Sequence, residues 1–69
     1  MIFDVYGRFD IEVLREHGHW VAYRVAPGLR LRDYDTVLAS EAIEADLATL
    51  LDDTFQELAI PGHSIRRVD

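Results

Sequence analysis

The residues in this chain that could do chemistry are three histidines, two serines and an adjacent pair of aspartates. His17 and His19 bracket Gly18, and with His63 they would supply three imidazole nitrogens, a donor set that zinc accepts. The H-G-H triplet lies in a turn-prone stretch, and no cysteine or carboxylate cluster completes a ligand spacing, so no metal is expected. Nucleophilic catalysis requires an activated Ser, Thr, Lys or Cys beside an oriented base. Cysteine and lysine are absent, Ser40 is placed to cap a helix, and Ser64 is His63's neighbour only along the chain. Asp52 and Asp53 look like a general acid/base pair until they are set on a helix, where successive side chains point about 100° apart and do not share a site. No catalytic residue is assigned, no cofactor is implied, and the expected function is non-enzymatic.

Arg24, Arg30 and Arg32 with Trp20, Tyr23 and Tyr34 would put cations and aromatics on neighbouring strands, the makings of a stacking platform for single-stranded RNA. Charge argues against it. The net charge is −6, and residues 35–59 carry Asp35, Glu41, Glu44, Asp46, Asp52, Asp53 and Glu57 with no base, whereas residues 1–34 are neutral. Affinity for nucleic acid comes largely from cations that displace counterions, so nucleic acid is disfavoured and a basic protein is the better electrostatic partner.

The elements that must position these groups follow from hydrophobic period. With 69 residues, 49% of them hydrophobic, the chain allows one small domain over residues 1–69 and excludes multidomain enzymes. It shows no basic-then-apolar leader and no run approaching ~18 apolar residues, so the expected setting is soluble and cytoplasmic, with no membrane partner. Phe3 and Val5, then Phe9, Ile11 and Val13, alternate with polar residues and predict two strands. Trp20–Val25 predicts a third after a Gly18 hairpin, and Pro27-Gly28 turns the chain into a short fourth around Leu29–Tyr34. Ile43, Leu47, Leu50, Leu51, Phe55 and Leu58 recur at helical spacing, with Thr54 in the remaining inward position. This predicts a helix near 41–59, capped by Ser40 and stopped by Pro61-Gly62. The fold class is α+β: an antiparallel four-stranded meander packed against one amphipathic helix in two layers. Ile65 and Val68 leave a fifth C-terminal strand, antiparallel to the first, open.

Register at Gly18 decides which faces are buried. A two-residue turn at His17-Gly18 puts Trp20 and Ala22 on the face of Ile11 and Val13. A three-residue loop with Gly18 as bulge puts Val21, Tyr23 and Val25 there instead. The second is preferred because it matches apolar with apolar and brings Asp10 opposite Arg24. It also turns Tyr23 inward, away from any RNA platform, and leaves Leu14 and Trp20 together as an apolar spot on the outer face.

The motifs DVYGRF, HWVAYRV and LLDDTFQELAIPGHSIRR resemble those of a family of small uncharacterised bacterial proteins, a domain of unknown function of about this length. The resemblance spans nearly the whole chain and implies no activity. More loosely, an aromatic third strand followed by an acidic helix is similar to the RNase H-like plan of HicB-type antitoxins, without the proline-rich end of the third strand.

The resulting expectation is a protein-interaction module, antitoxin-, immunity- or inhibitor-like. It would bind through the acidic helix face of Asp52, Asp53 and Glu57, through a sheet edge, or through the outer patch of Leu14 and Trp20. Those three acids oppose the helix dipole at a cost of several tenths of a kcal/mol each, which a basic partner would offset. A homodimeric accessory protein is the alternative, and a small RNA or metal binder a further one.

Overall fold

The computed structural model describes residues 1–69. Strands β1 (Ile2–Val5), β2 (Phe9–Glu16), β3 (His19–Ala26) and β4 (Leu29–Arg32) form the meander, and β5 (Ile65–Arg67) returns antiparallel to β1. The sheet is open, with order β4-β3-β2-β1-β5. Helix α1 (Leu47–Phe55) is extended by single 3-10 turns at Glu44–Asp46 and Gln56–Leu58, giving a helical path of 15 residues on one face of the sheet. The architecture is therefore α+β, and the tail does form the fifth strand.

The core is small. Leu47 and Leu51, one turn apart on α1, are fully buried against Phe3, Val5, Ile11, Val13 and Ala22 of the sheet, with Leu38 from the connecting segment. Phe9 and Phe55 close its margin edge-to-face at 5.5 Å between ring centroids.

Three expectations about the helix are corrected. It starts at Glu44 rather than near 41, and Ser40 does not cap it; the residue at the N-cap is Ile43, extended and 62% exposed. The cause lies on β3, where the Trp20 indole N–H donates to the Ala42 carbonyl at 2.8 Å while His19 Nδ1 and the Ser40 hydroxyl hydrogen-bond at 2.9 Å. Those two bonds hold residues 40–42 against the sheet and delay helix entry. Thr54 is exposed, not inward, and its hydroxyl donates to the Leu50 carbonyl one turn back at 3.0 Å.

The preferred register is also corrected. Leu14 pairs with Val21, Val13 with Ala22 and Glu16 with His19, so the turn has two residues. Both take left-handed backbone angles, His17 at φ 51° and Gly18 at φ 78°, which is the type I′ pattern whose twist matches that of the flanking strands. Histidine is among the non-glycine residues that enter this region most often. Trp20 and Ala22 consequently face the helix, Tyr23 faces outward, and Leu14 and Trp20 lie on opposite faces. Asp10 meets Val25 rather than Arg24.

Substituting Leu51→Asp should abolish the cooperative thermal melt, because an unpaired carboxylate in this fully buried position costs several kcal/mol, comparable to the whole stability of so small a domain. His17→Asn should raise the melting temperature by a few degrees, since asparagine tolerates the left-handed region better. An unchanged or lower melting temperature would mean that the turn is not strained at His17.

Candidate functional site

The helix and the segment after β4 do not cover the whole inner face of the sheet. Residues 36–42 lie over the Trp20 end of β3, with Thr36 and Leu38 buried. Asp33 starts that crossing: its backbone N–H donates to the Ala22 carbonyl at 2.9 Å, and its carboxylate accepts the Asp35 N–H and the Thr36 hydroxyl. The other end of β3 and all of β4 stay open. There Leu29, paired with Ala26, is 53% exposed and Leu31, paired with Arg24, is 56% exposed. Arg24 stands at the boundary of the covered core, with its guanidinium 3.8 Å over the Phe9 ring and 3.8 Å from Asp33.

On the outer face the same strand is armoured. Arg30 Nε donates to Glu12 Oε1 at 2.6 Å, and its guanidinium lies 3.8 Å over the Tyr23 ring. The Tyr23 hydroxyl donates to Glu16 at 3.2 Å, and Arg32 lies 4.8 Å over Tyr34. Val21, paired with Leu14 on this face, is buried as well.

The backbone of β4 is half unused. A two-residue turn makes Ala26 and Leu29 a hydrogen-bonded pair, and the antiparallel ladder then bonds every second residue to β3, through Leu31 and on to the Asp33–Ala22 bond. The N–H and C=O of Arg30 and Arg32 therefore point away from the sheet, where no strand answers them. At the opposite border β5 has three residues, two of them arginines, Arg66 and Arg67.

The residues singled out from sequence are not one site. Leu14 is half-buried on the outer face, whereas Trp20 packs inward beneath the Arg15 guanidinium, 4.6 Å from its ring. Asp52 is not simply solvated: its carboxylate accepts a hydrogen bond from the Tyr6 hydroxyl. Asp53 and Glu57 are exposed and make no ion pair, and the one cation meeting the acidic segment is Arg67, 3.8 Å from Glu44. Of the histidines, His17 and His19 flank the β2–β3 turn. His63 stands beside Gly7 at the other end of β2, an eight-residue strand away, roughly 25 Å at ~3.4 Å per residue. They cannot share an ion. No group of three or more His, Cys, Asp or Glu is gathered closely enough to hold a metal. His63 and Ser64 line a polar cleft of about 400 Å³ with Asp4, Gly7, Gly62 and Arg66, but no hydrogen bond joins imidazole to hydroxyl there.

Sequence reasoning named a sheet edge without saying which one. The available signal was topological: once the tail pairs with β1, the last strand of the meander must be the free border, and its Leu-Arg-Leu-Arg alternation puts both leucines on one face.

The sequence profile of the domain of unknown function DUF7661 matches residues 1–69. The chain belongs to that family. No curated protein and no solved structure matches it.

Tyr6 ties this family member's helix to its sheet in a pH-dependent way. The hydrogen bond to Asp52, burial and the nearby charges of Asp52 and Asp53 push its phenol from 10.0 up to about 12. A group whose folded pKa is raised contributes stability that is intact below pH 10 and is lost as pH climbs through about 12. The melting temperature should therefore fall across that window, and Tyr6→Phe should remove this part of the fall while lowering stability at neutral pH. Parallel pH profiles for the two proteins would show that the phenol is not the titrating group.

Proposed function

We propose that this domain is a non-enzymatic protein-interaction module that recruits another polypeptide along β4. The observation that carries the reading is the β4 border itself: outward N–H and C=O groups at Arg30 and Arg32, beside Leu29 and Leu31, each more than half exposed. Addition of a strand to such an edge combines main-chain hydrogen bonds for affinity with side-chain contacts for selectivity. Docking of this kind suits an antitoxin-, immunity- or inhibitor-like role in the bacterial cytoplasm, in line with the loose likeness of the sequence to HicB-type antitoxins.

A second reading is favoured by a separate observation. Residues 35–59 carry no base, and Asp53 and Glu57 face solvent unpaired in the last turns of the helix, where the dipole disfavours them. A basic protein on that face would relieve the repulsion.

One experiment compares the two. The immobilised domain would be challenged with a lysate of its host as wild type, as Leu29→Lys/Leu31→Lys and as Asp53→Lys/Glu57→Lys. The edge reading expects at least tenfold less retained protein for the β4 variant, little change for the helix variant, and slower amide exchange at Arg30 and Arg32 in the captured complex. Loss confined to the helix variant, with the β4 amides exchanging freely, would move the contact to the acidic face.

A further inference from the structure

We infer that the polypeptide docked along β4 is a second copy of this chain, joined about a two-fold axis through Leu31. The inference rests on the edge reading above and specifies its occupant. The first ground is self-complementarity. Two antiparallel β4 strands related by a two-fold axis perpendicular to the sheet keep their inner faces on the same side, so that residues of like parity meet. With Leu31 opposite Leu31 of the second copy, Arg30 of each strand falls opposite Arg32 of the other. Arg30 and Arg32 are the residues whose backbone groups point outward, so this register closes four N–H···O=C bonds and satisfies both groups on both strands.

The second ground is where the side chains go. In this register Leu31 meets its own copy at a non-hydrogen-bonded position, where facing side chains approach most closely, on the inner face that the helix leaves bare. Leu29 of each strand lies on the same face, diagonal to Leu31 of the other copy and opposite its Asp33, so the two Leu31 side chains cover one another and each Leu29 borders them. On the outer face the arrangement brings arginines together, but Arg30 is already bound to Glu12 at 2.6 Å and stacked on Tyr23, and Arg32 is stacked over Tyr34. Arg24, on the inner face, is held by Asp33. Of these arginines, Arg24 and Arg30 have a carboxylate partner within their own copy, whereas Arg32 has only the rings of Tyr34 and Tyr23. The acids that give the molecule its net charge of −6 lie mainly on residues 35–59, none of which belongs to the strand that pairs.

The third ground is what the rest of the surface offers. β5 is shorter than β4, and only Ile65 of its three residues is apolar; beyond it Asp69 Oδ1 accepts the Ile2 N–H and Arg67 Nε, both at 3.0 Å. β5 thus offers a partner fewer ladder positions and less apolar surface than β4. Interfaces built on edge strands of this length lie at the small end of the range for specific complexes, so association in the micromolar range is expected.

Sedimentation velocity over a concentration series, with amide exchange read at Arg30 and Arg32, tests this. The wild type should approach twice the monomer mass as concentration rises, with both amides gaining protection in step. Leu31→Lys, which sets two ammonium groups face to face on the axis, and Arg32→Pro, which deletes one outward N–H while leaving the ladder to β3 intact, should each shift the dimerisation midpoint at least tenfold upward. Circular dichroism should show the fold retained in both. A dimer that persists in both folded variants would place the interface elsewhere and overturn the inference. A wild type that stays monomeric at every concentration would overturn it as well. In that case, protection of the same amides by a lysate protein would leave the edge reading standing with a different occupant, and their free exchange under all conditions would remove both.

Discussion

The fold turns on how one aromatic residue leaves the first strand. Tyr6 takes a left-handed backbone angle, φ 54°, that bulky side chains rarely adopt, and it is 2% exposed. The strain is answered on three sides. Its phenol donates to the Asp52 carboxylate on the helix, its N–H donates to the Ser64 carbonyl ahead of β5 at 3.2 Å, and Gly7 beside it donates to Asp4. A single residue therefore locks the β1–β2 turn, the helix and the returning tail together. For a core of this size, with helix and sheet meeting mainly through Leu47 and Leu51, such a clasp fixes where the helix lies along the sheet. It also explains why one aspartate of the Asp52–Asp53 pair is structural and the other free.

Much of this was legible in the residues, and the failures have a common cause. The meander, the Pro27-Gly28 turn and the leucine stripe follow from period and turn chemistry, and the structure contains them. What went astray depended on balances between close alternatives. The hairpin register rested on maximising apolar matches, but a twisted two-residue turn outweighed that preference once His17 accepted a left-handed angle. The helix start was placed at the available serine, while a tryptophan twenty residues upstream was holding the same segment on the sheet. Local signals cannot report a hydrogen bond between residues separated by that much chain.

The same error shaped the candidate site. Putting Trp20 outside created an apolar patch with Leu14 that does not exist, and putting Tyr23 inside hid the Arg30–Tyr23–Glu12–Glu16 network that covers the outer face. The exposed leucines of β4 went unremarked because alternation with arginine read as an ordinary half-buried strand. Whether a strand's apolar side is covered depends on how far the helix extends across the sheet, and here the helical layer favours the β1–β5 side. Asp53 and Glu57 behaved as read, on the solvent side of the helix.

The two borders of the sheet are unequal. A ribbon receptive along both margins would add molecules without end, as fibrils do. In this protein the margins differ in length and apolar content: β4 has four residues, with Leu29 and Leu31 exposed, and β5 three, with Ile65 half-buried. A further strand therefore finds more ladder and more apolar cover at β4 than at β5, an asymmetry that works against indefinite growth.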